Sequence, residues 1–245
     1  MVNVSLANFN IRIDNRFEFT EWLCRDYLTD ATDCDLFVRV SDEALARERE
    51  MSVEIHGKDH PFSPGYLESI CIYRELCERL IEHGAFMLHA ATVELDGHGY
   101  AFSARPGVGK STHAALWRDH LGATVINGDK PLVTFDDSGA IAWGTPWCGK
   151  EGQNVNRSVR LDALCFIERS STNSLEPMSA TEAAPRLMTQ LLLPSDPLNT
   201  LTLMGHADRL LRVTPCFRLG CNMSPEAATV CRDGIRKHNQ DRKDN

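Results

Sequence analysis

The run Ala101-Phe102-Ser103-Ala104-Arg105-Pro106-Gly107-Val108-Gly109-Lys110-Ser111-Thr112 decides how the rest of the chain is read. It starts as an apolar strand end, turns tightly through Pro106, Gly107 and Gly109, and opens a helix at Lys110. That is the layout of a phosphate-binding loop. Gly107 and Gly109 remove side chains where backbone N–H groups must turn inward around phosphate oxygens. Residues Arg105 to Thr112 (Arg105, Pro106, Gly107, Val108, Gly109, Lys110, Ser111, Thr112) form the expected phosphate cradle. Within it Lys110 has the reach to touch β- and γ-phosphates, and the Ser111 hydroxyl is a ligand for Mg²⁺. The competing reading is a glycine-rich turn that only caps a helix. Ala104 stands where the usual pattern begins with Gly, but Gly-x-Gly-Lys-Ser is intact.

Working outward, 245 residues are enough for one large α/β domain or a main domain with a small addition. A net charge of −8 argues against nonspecific binding to nucleic acid or to anionic membranes. No apolar run approaches membrane-span length, and the N-terminus lacks the regions of a secretory signal, so a cytoplasmic protein is expected. The nine cysteines are odd in number and irregular in spacing, with no Cys-x-x-Cys. They read as buried, reduced thiols rather than a metal site.

Residues 2–13 alternate loosely and predict one or two strands, 17–27 a helix, 35–40 a strand, and 42–50 a solvated helix or loop. Residues 1–60 therefore read as a small N-terminal α/β region without a recognisable site. A breaker cluster at 61–65 precedes a helix through Ile81 that ends at His83-Gly84. Residues 85–95 and 98–103 predict two strands joined at Asp96-Gly97, a hairpin feeding directly into the glycine turn, which implies a mixed sheet. After the helix from Lys110 come a short strand at 123–127, a second hairpin at 132–143, and a loop dense in Gly, Pro and charge at 144–152. A buried strand at 161–167, helices at 180–193 and 198–211, a strand at 216–221 and a helix at 225–238 complete a domain over 61–238. Residues 239–245 read as a frayed tail.

Triphosphate chemistry needs a metal partner besides Ser111, and transfer to a hydroxyl benefits from a base. Asp129 lies just past an apolar strand, one strand–loop–helix–strand passage after Lys110, and is the candidate for both; otherwise it is an ordinary turn residue. Lys130 either supports phosphate charge or is solvated. On composition alone His89, between apolar neighbours, reads as a core residue. His113 and Trp117 on the helix either approach a nucleotide or pack. Lys150, Glu151 and Asn156, in or near the second glycine-rich loop, are candidates for substrate contact or plain surface residues.

His89, the 104–111 turn and Asn127-Gly128-Asp129-Lys130, in this order, resemble the kinase domain of HPr kinase/phosphorylase and, more distantly, ATP-dependent phosphoenolpyruvate carboxykinase. With Gly144-Thr145-Pro146-Trp147-Cys148-Gly149-Lys150-Glu151-Gly152 the run is similar to a group of bacterial HPr-kinase-like proteins of largely unassigned substrate. The resemblance covers roughly residues 65–235. It implies an α/β fold with a mixed central sheet and a P-loop, like the HPr kinase C-terminal domain. The implied activity transfers the γ-phosphate of ATP, with Mg²⁺, to a hydroxyl: a serine of a peptide or protein, or a small molecule. Carried over by position, Gly107, Gly109 and Lys110 hold phosphates and Ser111 binds Mg²⁺. Asp129 matches the second of an Asp-Asp pair that serves metal and acceptor. His89 matches a histidine preceding the loop, and Glu151 an acidic residue facing metal or substrate. Such kinases are often homo-oligomers. Gly128 replaces the first Asp of the pair, and Thr112 replaces a Glu of the bifunctional enzymes, which argues against the reverse phosphorylase activity. The alternative function is a nucleotide-binding regulatory protein with weak or no turnover. A carboxykinase-like lyase would need a His/Lys/Asp metal cluster that is not evident, and a GTPase an Asn-Lys-x-Asp motif that is absent.

Overall fold

Alternation in the first residues places Val2, Val4 and Leu6 of β1 (Val2–Leu6) on one buried face with Ile11 and Ile13 of β2 (Phe9–Asp14). The two strands pair antiparallel through a turn in which Ala7 and Asn8 both have positive φ, the geometry that matches strand twist in a two-residue hairpin. After α1 (Glu18–Leu23), β3 (Leu36–Arg39) joins β2 in parallel to finish a three-stranded sheet. The charged 42–50 segment is the start of α2 (Asp42–His56), and α3 (Pro64–Arg79) follows with Ser63 as N-cap. Glu68 of α3 is fully buried, and its carboxylate accepts from the Arg16 and Phe17 amides and the Thr20 hydroxyl, capping the start of α1.

The computed structural model describes residues 1–56 and 62–243. The chain divides into two compact units, Met1–His83 and Gly84–Asn245. The boundary expected at 60/61, and Pro61 of the breaker cluster, lie outside the described residues. The observed division follows the His83-Gly84 helix end, where Gly84 is left-handed.

The second unit begins with a departure from the sequence reading. Residues 85–95 form not one strand but two, β4 (Phe86–Met87) and β5 (Ala91–Leu95), with His89 in the break between them. Next come the hairpin strand β6 (His98–Ser103), α4 (Lys110–Leu121), β7 (Thr124–Asn127), β8 (Leu132–Asp136) and β9 (Gly139–Trp143). The chain ends with β10 (Ser158–Arg169), β11 (Ser174–Met178), α5 (Ala180–Met188), α6 (Pro197–Val213), β12 (Cys216–Cys221) and α7 (Glu226–Lys243). β11, unforeseen because its alternation is short and interrupted by Pro177, pairs with β12. Residues 239–243, expected to fray, continue α7; 244–245 lie outside the described residues.

These strands make one mixed sheet, ordered β4-β8-β9-β10-β6-β5-β7, with β12 attached to β10 and β11 to β12. Strand β10 joins its parts: it pairs antiparallel with β9 through residues 158–160, and in parallel with β6 and then β12 farther along. Its continuous apolar run, Ala163 to Ile167, is buried, as parallel strands covered on both faces require. α4 packs on β5 and β6 beside α7. There Trp117 packs against Tyr100 with ring centroids 4.6 Å apart and planes tilted by 41°, and His113 meets the Phe102 ring edge-on at 4.6 Å. This settles the open reading of His113 and Trp117: both are core residues. No helix of the described residues is long and apolar enough to cross a membrane.

Seven of the nine cysteines are buried, and burial pushes the Cys24 and Cys216 thiols up to about 12, so neither is a nucleophile at neutral pH. Burial also pushes the His113 imidazole down to about 4, and its Nε2 accepts the Trp117 indole N–H at 2.9 Å. A group depressed in the folded state takes its proton first in the unfolded chain. Stability is therefore complete above about 6.5, the unfolded value, and is lost as pH falls from there toward 4. Between pH 7.5 and 5 this residue should cost about 2 kcal/mol, read as a lower urea midpoint. His113→Gln, which keeps an acceptor for Trp117, should lose that part of the pH dependence. An unchanged slope would show that another group is responsible.

Candidate active site

The strand–turn–helix unit expected around Lys110 forms as read. β6 delivers the chain at Ser103, residues 104–109 turn, and α4 starts at Lys110. Gly107 and Gly109 have φ of 77° and 134°, a region that side chains resist, and a Cβ on either would meet nothing within 4 Å, so backbone conformation selects them. Gly109 is the N-cap and offers no side-chain acceptor. The first-turn amides of α4, those of Lys110, Ser111 and Thr112, thus face the turn with the helix dipole behind them, a ready anion cradle. Arg105, Pro106, Gly107, Ser111 and Thr112 are exposed, and Val108 is half-buried.

Lys110 is only 8% exposed. Its stem folds back over the turn and Nζ donates to the Ala104 carbonyl at 3.4 Å. Burial pushes its ammonium below the ordinary value; the Asp129 charge opposes this and Lys130 adds to it. The Val108 amide donates to the Arg105 carbonyl at 3.2 Å, so the first-turn amides of α4 are the donors that remain beside the ammonium, and a multiply charged anion gains most from such a pair.

Asp129 follows β7 and is fixed from several sides. The buried Asn127 accepts the Asp129 and Lys130 amides on Oδ1, at 2.8 and 2.6 Å, while its Nδ2 donates to the Thr145 carbonyl and hydroxyl. Thr145 Oγ1 in turn donates to the Lys130 carbonyl at 2.7 Å. His89 Nε2 donates to Asp129 Oδ1 at 3.1 Å, and Lys130 Nζ bonds Oδ2. Burial by itself would raise the Asp129 carboxyl; the His89 hydrogen bond and the Lys130 ammonium outweigh it and hold the group well below the usual carboxylate range. His89 therefore sits beside Asp129, not in the core where composition alone put it. The break between β4 and β5 places it there, with its N–H on the Gln190 carbonyl and its carbonyl on the Ser103 hydroxyl.

The second glycine-rich loop closes over this point. A Cβ on Gly149 would come within 3.0 Å of the Asp129 Cβ. Gly128 donates to the Gln153 carbonyl at 2.9 Å, and a Cβ there would meet the Cys148 carbonyl at 2.8 Å. The position of the missing Asp is thus occupied by backbone, and no carboxylate fits without displacing residues 148–153. Lys150, Glu151 and Asn156 are exposed on this loop. Glu151 adds its charge to the field at Arg118 in the last turn of α4, and no described contact joins it to Lys110 or Asp129.

Arg169 and Gln190 carry no signal in the sequence, and Asn127, quoted in the run with Asp129, has no role assigned from it. Arg169, at the end of β10, donates to the Gly107 and Val108 carbonyls and braces the turn from outside. A lone Arg at a strand end carries no motif. Asn127 could have been found, because Asn two residues before a turn Asp is an Asx-turn signal.

The residues fit a triphosphate with one divalent cation: an open cradle, a buried ammonium, an exposed Ser111 hydroxyl and an ionised carboxylate. His89 and Lys130 already engage both Asp129 oxygens, so a cation at Oδ2 must exchange with the Lys130 ammonium. Among the described residues no cluster of three or more His, Cys, Asp or Glu could hold a metal unaided.

Residues 67–224 match the family model described as SynChlorMet cassette protein ScmC. The solved structure of the Hpr(Ser) kinase/phosphatase from Coxiella burnetii is weakly similar, at 13% identity and a TM-score of 0.36, covering 62% of this chain and 98% of that one. No curated protein matches the chain. With well over half of its residues inside the family match, the chain belongs to the SynChlorMet cassette protein ScmC family.

Proposed function

We propose that the chain is an ATP- and Mg²⁺-dependent kinase that transfers the γ-phosphate to a hydroxyl, on a peptide or protein serine or on a small molecule. The observation that carries this reading is the combination of the buried Lys110 ammonium, over the first-turn amides of α4, with the ionised Asp129 carboxylate whose charge it feels. In phosphoryl transfer the transition state is loose, and positioning plus charge stabilisation supply most of the rate. The turn amides and Lys110 hold phosphate oxygens, and Ser111 and Asp129 are the residues that would hold Mg²⁺. When bound, that ion neutralises charge on the phosphate oxygens. Asp129, held far below neutral pKa, is a weak proton acceptor. It suits a group that orients the acceptor hydroxyl and receives its proton late, with His89 fixing the carboxylate.

Incubation with γ-labelled ATP and Mg²⁺, against cell extract and candidate hydroxyl compounds, tests the reading; a labelled phosphate ester is expected. The second reading, a nucleotide-binding regulatory protein, is favoured by the single carboxylate whose two oxygens are already engaged. It predicts saturable MgATP binding without labelled product.

A further inference from the structure

Beside the turn, a cavity of about 580 Å³ opens between the ends of β6 and β10 and the end of α5. This is within the usual range for ligand pockets, roughly 300–1,000 Å³. Two of its lining residues hold His89 directly. Ser103 Oγ donates to the His89 carbonyl at 3.0 Å, and the Gln190 carbonyl accepts the His89 N–H at 2.9 Å. The cavity wall is thus one hydrogen bond from the residue whose ring engages Asp129.

The wall is cationic. Arg105, Arg169 and Arg186 line it against Glu168 alone, an excess of two positive charges. Arg169 is committed to the turn carbonyls, and Arg186 is paired with Glu168. Arg105 is exposed and unpaired among the described residues. Gln190 is 6% exposed, and its amide Nε2 donates to Thr189 Oγ1 while Oε1 is buried without a partner. A donor group on a ligand would give that oxygen the partner it lacks.

We infer that this cavity receives the phosphate acceptor, and that the acceptor carries an anionic group, carboxylate or phosphate, close to the hydroxyl that reacts. The inference rests on the kinase reading. The ribose and base of a nucleotide are uncharged and would leave Arg105 and the wall's excess positive charge unanswered, whereas a planar, forked guanidinium matches carboxylate and phosphate oxygens. In the reaction the acceptor oxygen bonds to the γ-phosphorus as the bond to the β–γ bridging oxygen breaks. The hydroxyl proton leaves by way of Asp129 to solvent, and the products are ADP and a phosphate ester.

Two matched sets test this with γ-labelled ATP and Mg²⁺: a heptapeptide with one serine flanked by Glu or by Gln, and glycerate and glycerol phosphate against glycerol. The first set reports a peptide source of the charge, the second a small molecule. In one set the anionic member should be phosphorylated with kcat/KM about tenfold or more above its neutral partner, the worth of one charged hydrogen bond. Arg186→Gln should narrow that gap and Arg186→Glu reverse it, with the KM for ATP unchanged. Glu168→Gln, which frees Arg186, should widen it; a purely structural role for the pair would move both substitutions the same way. Equal use of neutral partners, a gap that survives in both Arg186 variants, or MgATP binding with no transfer to any member overturns the inference and leaves the nucleotide site standing. A chain that binds no MgATP overturns the kinase reading as well.

Discussion

Lys110→Ala is expected to lower phosphate transfer by about 10²- to 10³-fold, the usual cost of removing one preorganised donor to developing charge. The Lys110 ammonium is buried above the turn, its pKa pushed down by that burial, and only a polyanion in the cradle compensates it fully. The loss should therefore appear in MgATP affinity, because phosphate oxygens are contacted in the ground state, and in kcat, because that contact strengthens as charge develops on them. Folding should survive. Removing a desolvated charge whose one direct hydrogen bond is 3.4 Å long relieves a penalty about as large as the packing it gives up. Thermal unfolding of variant and wild type, each with and without MgATP, separates the two effects. The expected result is similar midpoints for the free proteins and a ligand-induced rise only in wild type. An equal rise in both would show that nucleotide, if bound, lies elsewhere.

The glycine turn and its helix were legible because their physics is local. Gly107 and Gly109 occupy backbone conformations that other residues resist, and Lys110 and Ser111 follow at fixed spacing. The position of Asp129 was legible for a related reason: one helix–strand passage returns the chain to the end of the sheet where β6 finishes, because β6 and β7 both run antiparallel to β5. His89 could be placed only through the family resemblance, because its position depends on a strand break that apolar periodicity hides. Phe86, Met87 and Leu88 are as buried as the strand residues after them. Arg169 and Gln190 escaped for a different reason. Each reaches the site across the fold, Arg169 from the end of β10 and Gln190 from beyond α5, and neither has a neighbour in sequence that announces it. The small N-terminal sheet was legible as alternation alone, and its parallel β2–β3 pair was not foreseen. Gly128 is the most instructive case. Against the family pattern it reads as a lost carboxylate, but the backbone carbonyl 2.8 Å from where its Cβ would be shows a site built around having none.

That single carboxylate makes Asp129→Asn the sharper test. The substitution keeps the shape and the backbone amides whose hydrogen bonds to Asn127 fix the turn, but removes the charge that His89, Lys130 and any bound cation share. Transfer should fall by about 10² to 10⁴, the range for a group positioned on a proton in flight. MgATP affinity should fall less than in Lys110→Ala, because the turn amides and the ammonium remain. Stability responds with a definite sign. The Asp129 carboxyl is depressed in the folded state, so its contribution is fully present above the unfolded value, about 3.9, and disappears only as pH falls toward the lower folded value. Asp129→Asn should thus unfold at a lower temperature than wild type by a constant margin from pH 5 to 8, and the margin should shrink below pH 4. For the same reason no acid limb from Asp129 should appear in the wild-type rate above about pH 4. Full turnover in Asp129→Asn would remove this carboxylate from the mechanism. Full MgATP binding with no turnover in either protein would instead establish the regulatory reading, in which the Lys130 ammonium stays on Asp129.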